Sequence, residues 1–197
     1  FTYTLNGNTK AQNYDITPAF GKLTVTASEA EVIVTIKENS GSEKYDGTEK
    51  TVTGYTVESI SDPLYTENDF TFSGDATIKG TDAGSYDMEL KATDFTNTNG
   101  NFTKVTFVIE DGKLTISKRQ VTLTSGSDEK AYDGTALTKD EVTVSGDGFV
   151  AGEGAAYDVT GSQTDVGSSD NEFTYTLNGN TKAQNYDITP AFGKLTV

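Results

Sequence analysis

Apolar side chains recur at every second position along short stretches of this chain. Val32, Val34 and Ile36 share one face of such a stretch; so do Val105, Phe107 and Ile109, and so do Tyr86, Met88 and Leu90. In Phe173-Thr174-Tyr175-Thr176-Leu177 the large apolar groups fall on one side and the threonines on the other. Val121 with Leu123, and Val142 with Val144, give shorter cases. A period of two is that of a pleated strand with one buried face, and β-branched threonine suits the wet face. Between the runs lie Asp46-Gly47, Asp111-Gly112, Asp133-Gly134 and Asp147-Gly148. Each is a tight-turn signal, because glycine accepts positive φ at little cost. No stretch carries a capped apolar stripe of helical period; the nearest, Thr26 to Glu31, is too short to stand as a helix. The pattern predicts an all-β chain of small β-sandwiches, Ig-like, each of about six or seven short strands. A β-grasp-like single sheet is the alternative, weakened by the missing helix.

Repetition organises these strands. Residues 173–197 repeat residues 1–25 letter for letter, FTYTLNGNTKAQNYDITPAFGKLTV. A match of that length is the mark of a tandem array. A weaker repeat lies inside it. Glu43-Lys44-Tyr45-Asp46-Gly47-Thr48 returns as Glu129-Lys130-Ala131-Tyr132-Asp133-Gly134-Thr135. Thr81-Asp82-Ala83-Gly84 returns as Thr164-Asp165-Val166-Gly167, and Gly112-Lys113-Leu114-Thr115-Ile116 as Gly193 to Val197 and as Gly21 to Val25. The order is the same each time. The chain therefore parses as the C-terminal strands of a truncated repeat (1–25), a complete repeat domain (26–117) and a second complete one (118–197). Ile116-Ser117-Lys118-Arg119 runs almost directly from one into the next. Without a Gly/Ser tether, neighbouring repeats are expected end to end, as an elongated rod. Residues 1–25 pose a puzzle, since two strands alone are marginal in water. Either they fray, or they complete a neighbouring molecule by strand-swapped self-association.

Composition narrows the function. Acidic residues number 30 against 15 Lys plus Arg, a net charge of −15. Nucleic acid and an anionic membrane surface would both be repelled. The chain has no cysteine and no histidine, which removes disulfides, a thiolate nucleophile and the commonest general base and metal ligand. It opens on Phe1 and carries no signal peptide, span or anchor motif, so targeting segments of a longer parent are expected outside it.

The shared order of Tyr-Asp-Gly-Thr, then Ala83-Gly84-Ser85-Tyr86, then Asn101-Phe102-Thr103, then Gly112-Lys113-Leu114-Thr115-Ile116 resembles the MBG-type tandem repeat domains of bacterial cell-surface adhesins. Asn185-Tyr186-Asp187-Ile188 and Gly193 to Val197 match the ending of those repeats closely. The last domain departs midway, with Val166-Gly167-Ser168-Ser169 in place of the tyrosine-bearing motif. The resemblance implies a tandem extracellular module of a cell-wall-anchored protein. Many secreted domains use disulfides but Gram-positive surface proteins often do without them, so the absence of cysteine leaves the compartment open. The resemblance implies no catalytic residue and no particular ligand.

Several residues are candidates for chemistry. The Tyr45-Asp46-Gly47 and Tyr132-Asp133-Gly134 motifs read as structural, each ring tucking against the core while Asp-Gly turns the chain. Tyr55, Tyr65 and Phe149 sit near Gly or Pro turns, outside clean alternation, and are candidate ligand contacts or end caps. The acidic turns at Asp147-Gly148 and Ser168-Ser169-Asp170-Asn171-Glu172 offer oxygens for calcium, yet no Asp-x-Asp-x-Asp-Gly loop is present and a solvated loop is the favoured reading. Otherwise no cofactor is expected. Catalysis is disfavoured: small repeated domains lack room for a deep cleft, so the chain reads as no enzyme. Lys22, Lys113 and Lys194 recur near Asn13, Asn101 and Asn185, the residue types of an intramolecular Lys–Asn bond, but alternation points Lys194 outward. The leading expectation is a stalk or spacer whose partners are neighbouring repeats of its own chain. The rival is an adhesive module that binds host glycoprotein or glycan weakly and multivalently.

Overall fold

A computed structural model describes residues 1–197. The protein is all-β, built as β-sandwiches, with helical structure limited to short 3-10 turns. Strand pairings fall into two sets that do not cross the single residue Lys118, here called module 1 and module 2. Module 1 holds β1 (Ser28–Glu38), β2 (Gly41–Lys44), β3 (Lys50–Thr53), β4 (Tyr55–Ile60), β5 (Phe70–Phe72), β6 (Thr77–Gly80), β7 (Gly84–Asp87), β8 (Phe95–Asn97), β9 (Phe102–Glu110) and β10 (Lys113–Ser117). Module 2 holds β11 (Arg119–Ser125), β12 (Asp128–Glu129), β13 (Val142–Gly146), β14 (Ala155–Val159), β15 (Ser168–Asp170), β16 (Phe173–Leu177), β17 (Tyr186–Ala191) and β18 (Lys194–Thr196).

The modules share one topology. The order β4-β1-β9 in module 1 matches β13-β11-β17 in module 2, and β2-β10-β7 matches β12-β18-β15. The β5-β8 pair matches β14-β16, and the β3-β6 pair shrinks to a single bridge, Leu137 to Gln163. In each module the first strand runs parallel to the penultimate one, β1 beside β9 and β11 beside β17. Val32, Val34 and Ile36 are fully buried, as their alternation predicts, and each burial contributes about 2 kcal/mol. Phe70, Phe95, Phe102 and Phe107 join them in one core, where Phe70 meets Phe95 and Phe107 edge-on and Phe95 stacks on Phe107.

There are more strands than six or seven per module because long strands break and change sheets. The chain leaves the β1 sheet at Asn39-Ser40 and joins the other as β2; β9 does the same through Asp111-Gly112 to become β10. Asp111-Gly112 is therefore not a positive-φ turn like Asp46-Gly47 (φ 81°) or Asp133-Gly134 (φ 80°) but the point where two backbones cross. A Cβ at Gly112 would strike the Asn39 carbonyl and lie 2.7 Å from Glu38 Cβ. Gly193 meets the carbonyls of Ser125 and Gly126 in the same way. This close approach is why the Gly-Lys-Leu-Thr motif begins on glycine. The crossing is pinned differently in the two modules. Buried Glu38 accepts from the Leu90 and Gly112 amides at 2.7 and 2.6 Å, whereas in module 2 the Ser125 hydroxyl accepts from Gly193 at 3.0 Å.

Residues 1–25 form no strand. They contain a 3-10 turn at Ala11–Asn13 and are exposed almost throughout.

Candidate functional site

A dense set of side-chain contacts, many of them part-buried, links the two modules at their junction. β10 ends at Ser117 and β11 begins at Arg119, so two loops of module 1 are carried against one end of module 2. The first loop follows β2. Register with β10 ends on Ser117 opposite Lys44, and the Tyr45 amide bonds the Ser117 carbonyl at 2.9 Å. The Tyr45 ring then leaves its own module. It packs edge-on against Tyr186 with centroids 5.7 Å apart, and Phe149 also packs edge-on against Tyr186, at 5.0 Å. The hydroxyls of Tyr45 and Tyr186 both donate to Glu153, at 2.6 and 2.7 Å. Burial first, and then the bond to Glu153, raise the Tyr45 pKa to about 12. Burial raises Tyr186 to about 12 as well.

The second loop, Thr81 to Gly84, meets Asn185. The Asn185 carboxamide accepts from the Ala83 amide at 2.7 Å and donates to Asp82 at 2.9 Å, while Lys182 pairs with the other Asp82 oxygen at 2.7 Å. Lys182, then Asn185, hold the Asp82 carboxyl below its usual range. A third set closes the joint. Arg119 donates to the Gly148 carbonyl at 2.8 Å, to the Asp147 carbonyl and to the Tyr45 carbonyl at 3.3 Å. Lys44 pairs with Asp147 at 2.7 Å, and Asp147 also accepts from the Gln120 amide at 2.9 Å. One apolar cluster runs unbroken from Val34 through Tyr45 and Tyr186 to Leu123, so the two cores touch at this point.

The sequence-predicted residues fall as follows. Tyr65 is buried, packs edge-on against Phe102 and donates to Asn97. Tyr55 lies half-buried between Phe72 and Phe95. Phe149 belongs to the junction. None of the three is displayed to solvent, because each turn folds its ring back onto an aromatic neighbour. The Tyr-Asp-Gly motifs part company. Tyr45 is 4% exposed, but against the neighbouring module rather than its own core, and Tyr132 is 60% exposed. Asp46 and Asp133 play one role in both, each accepting from a threonine two residues on and pairing with a lysine. The calcium candidates Asp147 and Asp170 each pair with a lysine, Lys44 and Lys194, and no group of three or more acidic side chains is gathered at metal-binding spacing. Lys194 is exposed and Asn185 is occupied at the junction. Nothing in the periodicity singled out Arg119, Glu153 or Lys182. The one available signal was the recurrence of Thr-Asp-x-Gly, whose aspartate is the anchor of the second contact.

A comparison with family models matches residues 32–118, which span most of module 1 and the linking Lys118, to the MBG domain. The match marks module 1 as a repeat-type domain of the cell-surface kind. No curated protein and no solved structure matches the chain. No helix is long and apolar enough to cross a membrane.

Proposed function

We propose that this chain is a stalk segment of a bacterial extracellular surface adhesin, a non-catalytic spacer of MBG-type modules that projects a functional domain away from the cell wall. The observation that carries the reading is the junction. With one linking residue, a buried tyrosine pair on a shared carboxylate and an asparagine that holds both the Ala83 amide and the Asp82 carboxylate of the other module, each module restrains the next, which is what a spacer needs to hold its reach. The net charge of −15 supports the same use, because neighbouring stalks repel. An adhesive role would have to use other contacts than Tyr55, Tyr65 and Phe149, whose rings are packed inward. Small-angle scattering of the chain tests the reading. One extended arrangement of the modules is expected, broadening when Tyr45→Ala opens the joint. A wild-type profile that fits only a wide spread of inter-module angles would remove the stalk.

A further inference from the structure

Module 2 carries a second copy of the Tyr45 knob, and module 1 a second copy of the face that receives it. Leu114 pairs with Gly41 and Leu195 with Asp128; the same number of residues beyond each partner stand Tyr45 and Tyr132. The loops that follow are alike. Thr48 and Thr135 each donate their amide to the aspartate two residues back at 2.9 Å. The second contact is duplicated too. Gly84 lies opposite Ile116, and Gly167 exchanges backbone hydrogen bonds with Val197, which puts Asp165 and Val166 where Asp82 and Ala83 stand. Yet Tyr132, Asp165 and Val166 are all exposed.

The receiving face is also repeated. Tyr186 pairs with Arg119 across the parallel strands and Phe102 pairs with Ser28, so Asn101 and Phe102 take the places of Asn185 and Tyr186. Asn185 is fully buried with its carboxamide on Asp82 and Ala83, whereas Asn101 is exposed and its carboxamide is unpaired. It borders a hollow of about 420 Å³ that also touches Phe102, Val25 and the exposed Leu64.

We infer that the Tyr132–Asp165–Val166 end of module 2 docks onto the Asn101–Phe102 end of module 1 of a second copy of this chain, with Tyr132 in the hollow and Asn101 bridging Asp165 and the Val166 amide. The inference deepens the stalk reading, on which it rests. The internal junction supplies the template. The contact is head-to-tail and does not close on itself, so it propagates along an array. It is also weaker than its template. Phe102 lacks the hydroxyl of Tyr186, Ser28 lacks the guanidinium of Arg119, and register places Ala131 where Lys44 makes its pair with Asp147. Docking therefore needs the high effective concentration of a tandem chain. Within the chain itself a copy of residues 173–197, residues 1–25, runs directly into Thr26, which is the connection such a tandem would use.

The test is nitration of tyrosines by tetranitromethane, read by peptide mass spectrometry. It is run on the chain and on a tandem in which Val197 is followed by Thr26–Val197 of a second copy. In the single chain Tyr132 is expected to react and Tyr45 to be protected. In the tandem, modification of Tyr132 is expected to stop near half, one copy being covered, and Asn101→Ala in the second copy is expected to restore it. Tyr132 reacting fully in a tandem whose Tyr45 stays protected would overturn this inference alone. A Tyr45 that reacts freely in the single chain would sink the stalk reading and this inference together.

Discussion

Residues 1–25 and 173–197 have the same sequence and different structures. In the second copy Phe173–Leu177 pairs with β14, Tyr186–Ala191 with β11, and Lys194–Thr196 with both β12 and β15. In the first copy no strand forms, and Leu23 is 98% exposed where Leu195 is fully buried. Two turns survive in both, the first closed by the Thr9 amide on the Asn6 carbonyl and by the Thr181 amide on the Asn178 carbonyl, each at 2.8 Å. The amide of Asn13 bonds the Lys10 carbonyl at 3.0 Å, and that of Asn185 bonds the Lys182 carbonyl at 3.0 Å, closing the same 3-10 turn. Each turn is held by bonds between residues three apart, so it travels with the segment. A strand has no internal bonds and takes its shape from partners that only the complete module supplies.

The largest break in this symmetry is expected from Leu195→Ala set beside Leu23→Ala. Leu195 is fully buried, and truncating such a leucine costs about 2–5 kcal/mol. Leu23→Ala is expected to leave urea unfolding unchanged. Equal midpoints for the two variants would mean that the second copy is no more folded than the first. Asn185→Ala beside Asn13→Ala sharpens the comparison at a smaller scale. Losing Asn185 strands the Ala83 amide and one oxygen of Asp82, for about 1–3 kcal/mol of coupling between modules. Calorimetry would register this as module transitions that separate. Asn13→Ala, on an exposed turn, is expected to match wild type.

Sequence and structure agree where the information is local. Val32, Val34 and Ile36 announce a buried face by period alone, and Asp46-Gly47 and Asp133-Gly134 announce turns by glycine's freedom at positive φ. They part where a residue's role depends on what comes from far along the chain. Asp111-Gly112 carries the same two letters as a turn, yet Gly112 is fixed by a crossing with Asn39. Glu38 continues the alternation of β1 but is buried because the Leu90 and Gly112 amides need an acceptor there. Tyr65 follows a proline turn and reads as a ligand contact or an end cap, and its partners Asn97 and Phe102 lie more than thirty residues on. Tyr45 and Tyr132 sit in one motif and differ because a module covers one of them. Alternation gives a side chain's face, not its neighbour.

The proton is the gentlest probe of the same asymmetry, since each titrating pair at the junction exists only where a module completes it. On the alkaline side, Tyr45 and Tyr186 are raised to about 12 from an ordinary value of about 10. A group raised on folding contributes stability that is whole below its unfolded value. The junction should therefore hold up to about pH 10 and loosen as pH rises from there through about 12. Phenolate absorbance is expected to show a late class, and Tyr45→Phe to remove one phenol from its last step. All ten tyrosines ionising in one step would refute the buried pair. On the acid side the sign reverses. Lys182 and then Asn185 depress Asp82, and Lys44 first depresses Asp147. Their contribution is present above an unfolded value of about 4 and fades as pH falls through the lower folded values. Both pairs involve a well-exposed lysine, so this effect is the smallest of all and shrinks with salt. Scattering in low-salt acid should find the inter-module angle widening before either module melts, and Asp82→Asn should show the same widening at neutral pH. An angle that stays fixed until global unfolding would mean that the aromatic contact of Tyr45 with Tyr186 holds the joint without help from charge.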